Sequence, residues 1–263
     1  MLLDSARLAE AAARAGLAGA ALVVWALDPP AAPIGVEAGR SLYPASMIKV
    51  PLAAAVLAEV ARGRLGPLEA RVAVDQANMT ANDAQSPLVP GYAATLRELI
   101  HLAIARSDNV ATNLLFDAIG RERATAVVRD ELGLKDTAFH RKLSGSDPLI
   151  HDPGWDGIHR NAHPASDAAT LFQKIANGTV PLSGVLRAAL EEQVWNGKLS
   201  AGLAPGDRFA HKTGDTSEVT HDGGILTTAQ GRRYAIVAYT AMASTDEHNA
   251  RFGPFMASLR NGL

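Results

Sequence analysis

The spacing of apolar positions divides the chain into stretches of different period. Residues 1–16, MLLDSARLAEAAARAG, carry Asp4, Arg7, Glu10 and Arg14 between apolar positions at helical spacing, which predicts an amphipathic first helix. The apolar run 19–27 predicts a buried strand that Asp28-Pro29-Pro30 ends, and 34–38 predicts a second, short strand. Residues 50–60 are apolar almost throughout and predict a buried helix ending near Arg62-Gly63. Residues 71–74 fit no single period, and 76–91, polar and rich in Asn, Pro and Gly, read as loop. Thr95 and Glu98 stand at capping-box spacing and open a helix through Ile104. Further helices are predicted over 109–119, closed by Gly120, and over 122–132, closed by Gly133. After an irregular stretch, 143–161, helices follow over 165–176 and 185–194. The period then changes to that of strands: 209–212, and a hairpin of 223–228 with 233–240 around Ala229-Gln230-Gly231. A closing helix is predicted over 246–259.

Strands therefore lie at both ends of the chain and helices between them. The simplest packing is an α/β (α+β) fold: one antiparallel sheet flanked by the terminal helices, with an all-helical lobe inserted. With 263 residues, 48% of them hydrophobic, the chain can bury a large core as one unit of two lobes. A net charge of −2 without a basic patch argues against nucleic acid as a partner. No apolar run reaches membrane-spanning length. The absence of cysteine excludes thiol catalysis, disulfides and cysteine-bound zinc. Charges interrupt the first sixteen residues, so no signal peptide is read there, and a cytoplasmic location is expected unless a leader has been removed. Nothing in the pattern indicates an oligomeric state.

The candidate chemistry centres on Ser46-Met47-Ile48-Lys49, at the start of the apolar helix. Residues three apart on a helix share a face, so the Lys49 amine is expected to reach the Ser46 hydroxyl. A serine hydroxyl needs a base to become a nucleophile, and burial lowers a lysine's pKa enough to make it one. Alone the motif is common. Ser107-Asp108-Asn109 and Lys212-Thr213-Gly214 follow in order, and together the three motifs resemble those of class A β-lactamases and the related penicillin-binding proteins.

That resemblance covers nearly the whole chain and implies the β-lactamase-like two-lobed fold. It implies a single catalytic domain over 1–263, with 1–43 and 195–263 in the sheet lobe and 44–194 in the helical lobe. It also implies an acyl-enzyme mechanism on a small-molecule substrate, without cofactor or metal. Ser46 would attack a carbonyl carbon and Lys49 accept or relay its proton. Ser107 would pass a proton to the leaving nitrogen, and Asn109 would bind Lys49 or the substrate amide. Lys212 would hold Ser107 and a substrate carboxylate, Thr213 would donate to the same carboxylate, and the N–H groups of Ser46 and Asp215, beyond Gly214, would bind the oxyanion. An aspartate at 215 departs from the small neutral residue common there, and beside the oxyanion site it would disfavour anionic substrates.

One family element is missing. The loop that carries the family's water-activating glutamate reads RKLSGSDPLIHDPGWDGIHRN here, with Asp147, Asp152 and Asp156 as its only carboxylates. Slow deacylation is the expected consequence. The alternatives to a β-lactam hydrolase are an amidase, esterase or D,D-peptidase on another substrate, and a binding protein on this fold. His140, His151, His159 and His163 cluster in sequence, but in a loop without a helical face to align them, so no metal site is expected. His211 and His221 read as structural.

Overall fold

The structure, a computed structural model, describes residues 3–263. The first helix, α1 (Ser5–Arg14), is capped by Asp4, whose carboxylate accepts from the Arg7 N–H; Met1 and Leu2, the start of the predicted helix, lie outside the described residues. Strands β1 (Ala21–Ala26) and β2 (Ile34–Val36) follow. Ser46, expected in the first turn of an α-helix, lies instead in a 3-10 turn, Ala45–Ile48, and α2 (Lys49–Ala61) starts behind it. The ambiguous residues near 71 form β3 (Arg71–Ala73), which pairs with β4 (Ala93–Thr95). Helix α3 (Leu96–Ala105) has the Thr95 cap, but Glu98 does not return to close a capping box, because its carboxylate accepts from the Tyr92 hydroxyl at 3.0 Å.

Helix α4 (Asn109–Ile119) runs as predicted. The next segment is not one α-helix: α5 (Arg121–Ala126) widens into a π turn, Val127–Glu131. Helices α6 (Ala165–Ala176) and α7 (Ser183–Glu191) precede β5 (Arg208–Asp215), β6 (Thr220–Thr227) and β7 (Arg233–Thr240). The closing helix is broken into α8 (Asp246–Asn249) and α9 (Phe252–Arg260). Pro254 lacks the N–H that would bind the Ala250 carbonyl, so the first helix cannot run on through it.

The strands form an antiparallel sheet in the order β2-β1-β7-β6-β5, so strands from both ends of the chain meet at β1–β7. Alternation along β1 and β7 divides the core. Leu22, Val24, Tyr234 and Ile236 pack with Leu8, Phe255 and Leu259 of α1 and α9. Ala21, Val23, Val237 and Tyr239 face the other way, into the cluster built around α2, α3, α4 and α6. A sheet covered on both faces explains why 19–27 reads as an apolar run without alternation. Helix α2 is buried from Lys49 to Glu59, which is why its sequence is apolar all round. Strand β5, at the sheet edge, is left with one side free for the helical part of the chain.

Candidate active site

The Ser46 turn packs on the face of the sheet over Gly214 of β5. A Cβ at Gly214 would stand 3.0 Å from the Pro44 carbonyl oxygen and 3.1 Å from Met47 Cγ, so glycine permits the approach. The segment entering the turn is pinned from the sheet by His221. Its Nδ1 accepts from the Thr240 N–H at 3.1 Å, so its Nε2–H donates to the Tyr43 carbonyl at 2.8 Å. Burial pushes the His221 pKa down to about 4, which keeps the ring neutral and in that tautomer. Ala45 and Ser107, on the two sides of the cleft, both adopt left-handed backbone, with φ of 48° and 58°. Non-glycine residues held there carry strain that surrounding contacts must offset. At Ser107 those contacts include the Asp108 cap on α4, 2.9 Å from the Ala111 N–H, and the bonds to two lysines.

Lys49 and Lys212 are fully buried. Lys49 Nζ donates to the Ser107 carbonyl at 2.5 Å and to Asn109 Oδ1 at 2.8 Å, and lies 3.2 Å from Ser107 Oγ. Lys212 Nζ donates to the same Ser107 Oγ at 2.9 Å and to the Thr213 carbonyl at 2.8 Å. Ser107 therefore bridges the two amines. Burial, and then the charge of Lys212, hold the Lys49 pKa well below the ordinary lysine range. Burial brings Lys212 down to about 7, against the opposing pull of Asp215. The expected Lys49–Ser46 hydrogen bond is not formed among the described residues, because Ser107 and Asn109 supply the amine's acceptors. Asn109 is itself fixed by the loop before α3, which gave no functional signal in sequence: its N–H donates to Asn82 Oδ1 at 2.5 Å and its side-chain amide to the Ala81 carbonyl at 2.9 Å.

Asp215 is not a bare charge. Lys198 Nζ lies 2.5 Å from its Oδ1, and Ser244 Oγ donates to the same oxygen at 2.5 Å. Lys198 was invisible in sequence, a lone lysine after α7. Its place is set by Asp222 on β6, which accepts from the Leu199 N–H at 2.9 Å and holds His211 Nδ1 at 2.8 Å. His211 and His221 thus lie within the strands and brace the site from behind. Of the other histidines, His163 meets Thr137 and is pushed to about 3 by burial, and His159 pairs with Asp156. Among the described residues no group of three or more His, Cys, Asp and Glu side chains could hold a metal ion.

The rewritten loop closes on its own backbone. Asn161 Oδ1 accepts from the N–H groups of His140 and Arg141, and Asn113 pairs with both backbone groups of Leu143. A Cβ at Gly145 would stand 2.1 Å from the Ala81 carbonyl oxygen, so the loop lies directly on the segment that holds Asn109. Two of its three carboxylates are engaged there. Asp152 binds Arg121 at 2.6 Å and accepts from the Lys142 N–H at 2.8 Å, while Asp156 accepts from the N–H groups of Ile158 and His159 at 2.9 Å. Asp147 is exposed.

Comparison with known proteins bears on the family and the fold. A family model described as the beta-lactamase enzyme family matches residues 5–253. The extended-spectrum beta-lactamase PER-1 of Pseudomonas aeruginosa is 26% identical over 212 residues, covering 74% of this chain and 66% of that protein. Beta-lactamase L2 of Stenotrophomonas maltophilia is 27% identical over 199 residues, covering 74% and 64%. The chain thus spans just under two thirds of the length of these relatives. Among solved structures, a mutant of PBP-A in an acyl-enzyme complex with penicillin G superposes with a TM-score of 0.81 at 25% identity, over 98% of this chain and 96% of that one. A beta-lactamase from Sphaerobacter thermophilus does so with a TM-score of 0.82 at 25% identity, over 99% and 97%.

Proposed function

The chain belongs to the β-lactamase enzyme family, and from that premise we propose that it is a serine hydrolase opening a β-lactam or related amide bond through an acyl-Ser46 intermediate. The observation that carries this reading is the pair of buried lysines joined through Ser107 Oγ beside the Ser46 turn. A neutral Lys49 amine has two hydrogens and one lone pair. Its hydrogens go to the Ser107 carbonyl and Asn109, which leaves the lone pair for a hydroxyl proton. Catalytic hydrogen bonds tighten when substrate is bound, and in that complex the Ser46 proton passes to Lys49 as Oγ attacks the carbonyl carbon. Lys212, protonated, supplies a proton through Ser107 to the leaving nitrogen. Edge strand β5 leaves N–H groups unpaired beside the Ser46 turn, and those of Asp215 and Ser46 serve as donors to the oxyanion.

Relatives named as β-lactamases and a neighbour acylated by penicillin G support β-lactams as substrates. An amidase, esterase or D,D-peptidase acting on a different amide or ester is the second reading. It is favoured by the loop, where Asp152 and Asp156 are engaged in local structure and no glutamate takes their place. The test is intact-mass measurement after mixing with penicillin G and, separately, a fluorophosphonate. An adduct of one equivalent that Ser46→Ala abolishes is expected. Equal labelling of the mutant would overturn the mechanism.

A further inference from the structure

Beyond Thr213 the cleft opens into a cavity of about 570 Å³ whose lining includes Thr213, Lys198, Asp215, Ser244, Asp83 and Asp246. Lys198 is the one cation among these. Its ammonium has three hydrogens, and all three have acceptors within the protein: Asp215 Oδ1 at 2.5 Å, the His221 carbonyl at 3.0 Å and the Gly214 carbonyl at 3.4 Å. Its side chain is only 6% exposed. Asp215 is in the opposite condition. Lys198 and Ser244 both donate to its Oδ1 at 2.5 Å, the Thr220 hydroxyl, which donates to Asn249 Oδ1 at 2.7 Å, lies 3.3 Å away, and among the described residues its Oδ2 has no hydrogen-bond partner. Its side chain is 32% exposed. The ion pair therefore offers the cavity an acceptor and withholds its donor. Asp83 and Asp246 are exposed on the same lining, and among the described residues neither side chain makes an ion pair. Lys212 is not part of this lining: it is fully buried and gives two of its hydrogens to Ser107 Oγ and the Thr213 carbonyl.

We propose that Asp215 is a specificity-determining residue: by capturing Lys198 it turns the far end of the cleft into a site for a substrate arm that donates hydrogen bonds, an ammonium or a primary amide, and rejects a carboxylate. This rests on the acyl-Ser46 reading above. A carboxylate entering the cavity would find its own lone pairs facing Asp215 Oδ2, with Asp83 and Asp246 nearby. An ammonium would replace water at Oδ2 with a charge-assisted hydrogen bond.

The test uses three thioesters that share one acyl group and differ only at the end of the leaving thiol, which carries an ammonium, a carboxamide or a carboxylate. In each, the Ser46 Oγ–carbon bond forms, the carbon–sulfur bond breaks and the released thiol takes the proton. Thiol release gives kcat/KM, and intact mass reports the acyl-enzyme. The expected order is ammonium, carboxamide, carboxylate, with the carboxylate about tenfold below the carboxamide, equivalent to ~1.4 kcal/mol. Asp215→Asn, which keeps the shape and removes the charge, should erase that gap or reverse it, and Lys198→Met added to it should restore part of the penalty. A measurement on the unaltered protein guards against a variant that does not fold: at ~1 M salt, where the Debye length is about 3 Å, the carboxylate penalty should shrink. If no thioester acylates the protein, the acyl-Ser46 reading fails. If acylation occurs but the carboxylate is the fastest, or the penalty is indifferent both to salt and to Asp215→Asn, the specificity proposal fails while that reading stands.

Discussion

Two lysines with no solvent contact, 2.9 and 3.2 Å from one serine oxygen, make protonation the first question at the residue scale. Desolvation disfavours both ammonium forms, and each lysine's charge disfavours the other's. The proposed chemistry needs them in opposite states: Lys49 neutral as base, Lys212 charged as proton source. Activity should fall on the acid side as Lys49 takes up a proton. On the alkaline side it should fall as Lys212 loses one, above about pH 7. A bell-shaped kcat/KM profile with its alkaline limb near neutrality is therefore expected with an uncharged substrate. An alkaline limb near ~10.4, where an exposed lysine titrates, would show that Lys212 is not depressed.

At the scale of elements, the helices meet through charge as well as through apolar contact. Glu59 near the end of α2 is almost completely buried and binds Arg123 of α5 at 2.7 and 2.9 Å, with Arg62 at 3.1 Å and Arg64 at 3.3 Å behind it. Hydrogen bonds from Arg123, then Arg64, hold its carboxyl down at about 2. The folded pKa lies below the ordinary glutamate value of about 4.3, so the stabilisation is complete above that value and is lost as pH falls from there toward 2. Its arginine partners are partly exposed, which moderates the gain. Glu59→Gln should cost about 2 kcal/mol at pH 7 in urea denaturation. The difference from the parent should close by about pH 2–3. A cost that stays constant across that range would assign the effect to packing.

For the whole molecule, the consequence to test is the order of steps. Deacylation needs a base within hydrogen-bond reach of a water at the ester, and such a base contributes ~10²–10⁴-fold. The 143–161 loop folds with Asp152 on Arg121 and Asp156 on its own turn, and both are held to their partners before any substrate arrives. A chromogenic cephalosporin should therefore give a burst of about one equivalent followed by a slow steady rate. Linear turnover from the start, at the common enzyme scale of ~10 s⁻¹, would mean that a base outside this loop, or the exposed Asp147, activates the water.

Sequence alone determined the α/β class, the meeting of both chain ends in one antiparallel sheet, and the residues Ser46, Lys49, Ser107, Asn109, Lys212, Thr213, Gly214 and Asp215 as candidates. It could do so because helix and strand periods are local, and because the three motifs resemble those of the β-lactamase family, whose site residues they imply. Strand β1 and helix α2 were legible for the same reason: an apolar run has few alternatives to burial. What the chain did not reveal depends on residues far apart in sequence. The Lys49 amine turned from Ser46 to Ser107 and Asn109, about sixty positions away, because a buried amine goes wherever acceptors are fixed. The break before α9 was written locally, in Pro254, but the apolar pattern ran across it. Lys198 and Asp222 had no motif at all, and only the pairing of β5 with β6 brings them behind Asp215. Asp215 could be named from the sequence as a charge in the cleft. Whether that charge stands bare or occupies a lysine was decided by the tertiary structure, because an ion pair forms between side chains that the fold, not the spacing, brings within reach.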